Sequence, residues 1–326
     1  MTTLLTGATG FVGSAVARTL LARGHDLRLL VRPGSDRSNL AGLHAELAEG
    51  DLKDAASLAR AAQGCRYVFH VAADYRLWVP DPEAMMQANV AGTRALLLAA
   101  KAAGAERVVY CSSVAALGLM TDGSAADETT PVHADKIIGV YKRSKYEAEQ
   151  AVLALVREDG VPAVIVNPST PVGPRDIKPT PTGKMIRDAA EGRMPAYVEC
   201  GLNIVHVDDV AEGHALALER GRIGEKYILG GEDFWLGEVF AMAARAGGRK
   251  PPTIKLPVWP LVPVALVCEA LARFGIEPVV TRETLQMSRK KMFFSSAKAR
   301  AELGYAPRPA EQAIGDAVAW FAAHGR

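Results

Sequence analysis

Short apolar runs alternate along the first half of the chain with stretches whose apolar residues recur at helical spacing. Residues 2–6, 26–32, 46–50, 67–71, 107–111 and 163–167 read as strands, most of them rich in Leu, Val and Ile. Residues 11–23, 54–62, 82–103 and 141–158 read as the helices between them. Strands that are apolar on both faces and separated by helices form a parallel sheet covered on both sides. Right-handed crossovers make such a sheet doubly wound. The expected fold is therefore α/β, a doubly wound parallel sheet with a smaller C-terminal α/β unit.

The pattern changes after Asn167. Residues 168–183 hold five prolines and read as loop. Residues 208–220 read as a helix opening on two carboxylates, which suits the positive end of its dipole. Residues 226–229 add a strand. This assigns 1–168 plus about 204–230 to the sheet unit, and about 169–203 plus 231–326 to the second unit. The apolar stretch 256–268 is broken by Pro257, Pro260 and Pro263 and is too short to span a bilayer. It reads first as a buried helix of the second unit. A lipid-facing surface is the alternative, with Arg289, Lys290 and Lys291 as a basic patch and a peripheral membrane contact as the consequence.

Composition changes this picture little. Charged residues are 23% of the 326 and apolar ones 49%, as in ordinary globular proteins. Lys and Arg number 38 against 36 Asp and Glu, a net +2 that gives no electrostatic case for nucleic acid. Cys65, Cys111, Cys200 and Cys268 form no Cys-x-x-Cys and read as reduced thiols of a cytoplasmic protein. Met1-Thr2-Thr3 runs straight into a strand, so no secretory signal is expected. The seven histidines make no His-x-His or His-Glu-x-x-His, so no metal site is expected. His206, between a strand and Asp208-Asp209, reads as a hydrogen-bonded structural residue.

The chemistry begins at Thr6-Gly7-Ala8-Thr9-Gly10-Phe11-Val12-Gly13, which follows the first strand and opens the first helix. Gly7 permits the turn, Gly10 lets backbone approach a pyrophosphate, and Gly13 lets helix and strand pack closely. N–H groups at the helix start, around Thr9, Phe11 and Val12, then face phosphate. The second strand ends Val31-Arg32 rather than in a carboxylate. A carboxylate there accepts from the 2′-hydroxyl of NAD, whereas Arg32 suits a 2′-phosphate, with Ser35 and Arg37 just beyond. The expected cofactor is NADP(H), with Asp51 and Leu52 bordering the adenine. Tyr141 and Lys145 share a helix face one turn apart, after Ser112-Ser113 at a strand's carboxyl edge. A phenol titrating near about 10 is a poor acid or base at neutral pH, and a lysine cation beside it is expected to lower that value. A serine hydroxyl can orient a carbonyl oxygen.

With these residues the chain resembles an extended short-chain dehydrogenase/reductase of the NAD-dependent epimerase/dehydratase superfamily from end to end. The glycine turn, Gly50-Asp51-Leu52, His70-Val71-Ala72-Ala73, Asn89, Ser112-Ser113, Tyr141 to Lys145, Asn167-Pro168 and His206 to Val210 carry the likeness. The resemblance implies Tyr141 as general acid/base, Lys145 as its partner and holder of the nicotinamide ribose, and Ser113 as the carbonyl-orienting serine. It implies Asn89 in a proton path through water, and Ala72, Ala73 and Pro168 lining the cofactor. It also implies a homodimer built from two helices. Val31-Arg32 is similar to the dihydroflavonol 4-reductase-like branch. Residues 72–82 are closer to hopanoid-associated sugar epimerases, which implies a bacterial enzyme tied to hopanoid side-chain synthesis. Tyr75, Leu77 and Trp78 are expected as pocket walls beside Ser113. Nucleotide-sugar epimerases of the superfamily carry a phosphate-clamping arginine where this chain has Leu202, so a less anionic substrate is expected, unless Arg175 or Lys184 replaces it. Three activities follow. One is an NADP(H)-dependent reductase or dehydrogenase acting on a carbonyl or lipid-linked substrate. The second is a sugar epimerase that keeps its nicotinamide cofactor bound. The third, an NADP(H) sensor without turnover, is opposed by the intact serine, tyrosine and lysine.

Overall fold

The structure, a computed structural model, describes residues 2–325 apart from 77, 78, 80, 273–277 and 279. Strands are β1 (Thr2–Thr6), β2 (Asp26–Val31), β3 (Glu46–Glu49), β4 (Tyr67–His70), β5 (Arg107–Cys111), β6 (Ala163–Pro168), β7 (Thr170–Val172), β8 (Ala196–Tyr197), β9 (Gly201–His206), β10 (Lys226–Leu229), β11 (Glu232–Trp235), β12 (Ile254–Lys255) and β13 (Lys291–Met292). Helices are α1 (Phe11–Ala22), α2 (Ala55–Ala62), α3 (Pro82–Met86), α4 (Gly92–Ala102), α5 (Val140–Asp159), α6 (Pro181–Ala190), α7 (Val207–Arg220), α8 (Leu236–Ala246), α9 (Leu261–Ala272), α10 (Arg282–Met287), α11 (Ala297–Leu303) and α12 (Ala310–Ala323).

Seven parallel strands form the main sheet in the order β10-β6-β5-β4-β1-β2-β3. The chain winds outward from β1 in both directions, so the order reverses between β1 and β4. Strand periodicity divides the core in two. Leu5, Leu29, Val109 and Val166 pack on one face against residues of α1, α7 and α11. Leu4, Leu30, Val108 and Ile165 pack on the other, against residues of α2, α4 and α5. Neighbouring residues of one strand thus serve opposite layers.

The second sheet is built around β9. Strand β11 pairs with it antiparallel, while β7 and β13 pair parallel with its later and earlier residues. Helices α6, α8 and α12 supply its core. Several expectations are corrected here. Residues 168–183 are not all loop, since they finish β6, form β7 and start α6. Ile204 to His206 belong to the second sheet, so the chain returns to the first unit only at α7. Residues 297–305, expected in the second unit, bury Ala299, Leu303 and Tyr305 in the core of the main sheet. The helix expected over 82–103 is interrupted by a π-helical turn over Gln87–Ala91. Helix α9 is not a buried helix: only Ala265 is buried along it.

Candidate active site

The reversal point sets β1 and β4 side by side, with Thr6 opposite His70 at their carboxyl ends. The turn after β1 is shaped by glycine. Gly7 has φ +82, and a Cβ there would meet the Ala72 backbone N at 2.6 Å. A Cβ on Gly13 would lie 2.0 Å from the Gly7 carbonyl oxygen, so α1 and the turn touch through backbone alone. Gly10 caps α1 without any side-chain hydrogen bond. The first N–H groups of the helix therefore face the cleft with the positive end of the dipole behind them, a cradle that fits a diphosphate. Asn39 holds the turn from outside, donating from Nδ2 to the Thr9 carbonyl at 3.1 Å.

A buried chain of hydrogen bonds leads away from the turn. The Ala72 N–H donates to Thr6 Oγ1 at 3.2 Å, and Thr6 Oγ1 and His70 Nδ1 are 2.8 Å apart. His70 Nε2 lies 2.8 Å from Thr93 Oγ1, which donates to the Asn89 carbonyl at 2.7 Å. Burial, with Lys145 nearby, pushes His70 down to about 3. Asn89 sits in the π-helical turn, where the extra residue swings its side chain inward. Its carboxamide accepts from Asp74 N at 2.8 Å and donates to Asp74 O at 2.9 Å and Ser144 Oγ at 2.9 Å. Ser144 in turn donates to the Tyr141 carbonyl at 2.8 Å.

Helix α5 carries Tyr141 and Lys145 to the same cleft. Ser113 Oγ accepts from Ala115 N at 3.1 Å and lies near enough to the Tyr141 phenol to favour its ionised form. Lys145 is buried, donating from Nζ to the Cys111 carbonyl at 2.9 Å and to Tyr110 Oη at 3.4 Å. Burial lowers its affinity for a proton. Burial also pushes Tyr141 up to about 12, with the nearby Ser113 hydroxyl opposing it. The expected lowering by Lys145 is therefore absent in this arrangement, because the ammonium is turned to Cys111 and Tyr110. Of the two serines, Ser112 is spent inside the core, donating to Glu149 Oε2 at 2.6 Å. Asn167 donates to the same carboxylate at 2.7 Å and to the Ser113 carbonyl at 3.0 Å, fixing the turn that presents Ser113. The cleft these groups share has a volume of about 1680 Å³. Single-ligand pockets run to roughly 300–1,000 Å³, so there is room for a dinucleotide and a second molecule.

The profile of the NAD dependent epimerase/dehydratase family matches residues 3–230. The chain belongs to that family. It is 46% identical to a Synechocystis sp. protein carried provisionally under the name dihydroflavonol 4-reductase, over 98% of this chain and 94% of that one. It is 35% identical to sterol demethylase protein B of Methylococcus capsulatus, over 100% and 99%. Among solved structures, that of a protein called gox2253 is 71% identical and superposes with a TM-score of 0.91, covering 100% of this chain and 99% of that one. The family is one of oxidoreductases and epimerases with a nicotinamide-binding, doubly wound sheet.

Within this family member the structure brings together at one cleft Gly7, Thr9, Gly10, Phe11, Val12, Gly13, Arg32, Asp51, Leu52, Ala72, Ala73, Ser113, Tyr141, Lys145 and Pro168. Arg32 is exposed at its rim; burial pushes the Asp74 carboxyl up, but the hydrogen bonds from Arg76, with a smaller contribution from the Arg32 charge, hold it below its ordinary value. Arg37 is instead paired with Glu49 at 3.0 Å. Tyr75 and Leu202 line the substrate side, whereas Leu77 and Trp78 lie outside the described residues. Asn89 is 3% exposed and does not line the cleft; its contacts are to Asp74 and Ser144. Arg175 is ion-paired with Asp208, and Lys184 is exposed; neither lines the cleft. His206 accepts from Asp208 N at 3.0 Å, capping α7, and lies 3.2 Å from Asp316.

Sequence reasoning missed a wall made by distant residues. Thr284, Met287, Ser288, Lys290, Met292 and Phe294 line the cleft. Lys142, beside Tyr141, has its proton affinity lowered by burial, with Glu283 opposing. Asp176 also lines the cleft, and burial pushes it up to about 6 while Thr180 N and Oγ1 hold its Oδ2 at 2.9 and 2.8 Å. Apart from Lys142 on α5, a six-residue helix, a two-residue strand and loops carry these groups, and nothing in their local pattern marks them.

Proposed function

We propose that the chain is an NADP(H)-dependent oxidoreductase acting on a carbonyl or carbinol carbon of a largely apolar or lipid-linked substrate. The observation that carries this reading is the convergence of Ser113, Tyr141 and the buried Lys145 on one cleft beside the glycine turn. The glycine turn and the uncapped start of α1 would hold the diphosphate, Arg32 the 2′-phosphate, and Lys145 the nicotinamide ribose. A bound nicotinamide supplies or accepts the hydride. Tyr141 moves the proton at the substrate oxygen, Ser113 orients that oxygen, and the Lys145 ammonium has to turn from Cys111 and Tyr110 toward the phenol to favour the phenolate during transfer. Asn89 acts on this set by fixing the Asp74 backbone and the first turn of α5. The unit of α1–α5 with the main sheet serves the cofactor, and the β9 sheet with its helices faces the substrate.

Leu202 and the position of Arg175 and Lys184 support a substrate without a nucleotide diphosphate, since no guanidinium from those positions lines the cleft. A relative named for sterol demethylation and one named for a flavonoid-type reductase fit the same apolar class. We assign the physiological substrate to hopanoid side-chain synthesis in the cytoplasm, following the likeness of residues 72–82. The test is cofactor titration with substrate-panel turnover. Charge-assisted bonding by Arg32 is worth about 1.5–3 kcal/mol, so NADPH should bind roughly 10- to 150-fold more tightly than NADH, and Arg32→Ala should erase the difference. Tyr141→Phe should keep cofactor binding and lose turnover. Equal affinity for both cofactors in the wild type defeats the NADP(H) assignment. Micromolar binding of UDP-sugars by calorimetry, with no net NADPH consumption, would make the chain an epimerase.

A further inference from the structure

Eight of the large apolar side chains that are exposed among the described residues fall within residues 254–271. On α9 and just before it, Trp259 is 76% exposed, Val267 59%, Val264 and Leu266 48%, Leu271 42% and Val262 39%. Together they leave on the order of 500 Å² of apolar surface, at the upper end of the largest patch a monomer shows, about 300–600 Å². The charge of this stretch of sequence is one-sided. Residues 249–291 hold eight Lys or Arg against three Asp or Glu, a net +5 in a chain whose total is +2. Of the acids, Glu269 is bound to Arg282 at 2.8 Å and Glu283 faces Lys142, while Arg289 and Lys291 are exposed. No helix among the described residues is long and apolar enough to cross a membrane.

We propose that α9 and the chain leading into it are a docking surface for an anionic lipid bilayer, with the helix lying in the interface and the basic residues at headgroup level. A partner protein would equally cover apolar surface, but the segment's net positive charge beside it, in a chain that is otherwise net negative, selects a negatively charged surface. Trp259, the most exposed of the set, suits the interfacial layer. Helix α9 packs on α10, whose Thr284 and Met287 line the cleft. The docked face therefore sets the substrate side of the cleft against the bilayer, and an apolar substrate enters beside α10 without crossing water. That last step rests on the oxidoreductase reading; the docking does not.

The test uses the full chain without cofactor or substrate, in flotation with phosphatidylcholine vesicles and with mixed phosphatidylcholine/phosphatidylglycerol vesicles. The wild type should float with the mixed vesicles and lose most of that binding at high salt. Val264→Asp/Val267→Asp should abolish flotation, and Arg289→Ala/Lys291→Ala should lower the partition about tenfold, with thermal melts showing that both variants fold. Trp259 should report independently, by a fluorescence blue shift on anionic vesicles that is missing in Trp259→Phe. No flotation of the wild type overturns the proposal, as does equal flotation on both vesicle types. A dimer in sizing chromatography that Val264→Asp/Val267→Asp dissolves also overturns it, because the face would then be covered by a second copy. Since vesicle binding is read without turnover, its failure leaves the enzymatic reading untouched, and the reverse holds.

Discussion

Gly13 and Gly10 are three residues apart in one turn, yet alanine at the two positions should fail in different ways. At Gly13 the added Cβ would stand 2.0 Å from the Gly7 oxygen, 2.5 Å from its carbonyl carbon and 3.0 Å from Ala8 N. All three are backbone atoms, and Gly7 is itself wedged against Ala72. Nothing can rotate away, so α1 must lift from β1 and loosen the packing of Val16 and Leu20. Forced overpacking costs typically 1–3 kcal/mol, and a backbone clash of this depth should reach about 3 or more. At about 2–4 °C per kcal/mol for a chain of this size class, Gly13→Ala should melt roughly 6–12 °C lower. At Gly10 the nearest atom to a Cβ is the Gly7 oxygen at 3.3 Å, a displacement of a few tenths of an ångström. Gly10→Ala should therefore melt within about 1 kcal/mol of the wild type while its methyl group occupies the diphosphate's approach. Differential scanning fluorimetry with and without NADPH separates the cases. Gly10→Ala should lose the cofactor-induced rise in Tm, and Gly13→Ala should lose stability even without cofactor. A Gly13→Ala protein melting with the wild type, or a Gly10→Ala protein that retains the NADPH-induced rise, would refute the account of the turn.

Two further changes test the buried polar groups. His214 is fully buried, donates from Nδ1 to the Val210 carbonyl at 2.7 Å, and is pushed down to about 4 by burial. The unfolded chain takes up that proton near about 6.5, so the native state loses stability as pH falls from there toward 4, by up to about 1.4 kcal/mol per pH unit. His214→Leu should therefore be relatively more stable at pH 5 than at pH 7, by roughly 2 kcal/mol in urea denaturation, while the opposite slope from Asp176 cancels because both proteins share it. Thr93→Val removes the groups that serve His70 Nε2 and the Asn89 carbonyl without changing volume, and should cost about 1–3 kcal/mol, which Thr93→Ser should largely restore.

Local pattern carried the main sheet into view. The glycine turn, the strand ends at Arg32, Ala72 and Ser113, and the spacing of Tyr141 and Lys145 are all read within a few residues of one another. The second sheet was opaque for a physical reason. Its β9 is a fully buried strand whose run Leu202 to Val205 looks the same in either unit, and its partners β7 and β13 span three and two residues. Their pairing is decided by contacts across 34 residues of chain for β7 and 90 for β13, not by periodicity. The π-helical turn is likewise one residue out of step in a helix that otherwise keeps its apolar spacing. Helix α9 misled in a different way: hydrophobicity measures what a segment gains by leaving water, not whether this chain supplies the cover.

The buried histidine shows how the two halves of the cleft are held as one piece. The Ala72 N–H can only donate and the Asn89 carbonyl can only accept, so the chain between them has one direction. Thr93 spends its one proton on Asn89 and so accepts from His70 Nε2, which leaves Nδ1 of the neutral ring to accept from the Thr6 hydroxyl while that hydroxyl receives from Ala72. The ring is thereby assigned as the neutral Nε2–H tautomer, in agreement with its strongly lowered proton affinity. A second proton on the ring would turn Nδ1 from acceptor to donor and set it against the Thr6 hydroxyl, with Lys145 adding repulsion. A histidine at this position is consequently a poor base but a good joint. It ties the end of β1, where the diphosphate cradle begins, to the turn whose Asn89 grips Asp74 and, through Ser144, the first turn of α5. Four short hydrogen bonds thus join the end of β1 to the helix that carries Tyr141, an arrangement that fits the proposed transfer of hydride and proton to one carbonyl from groups on different elements.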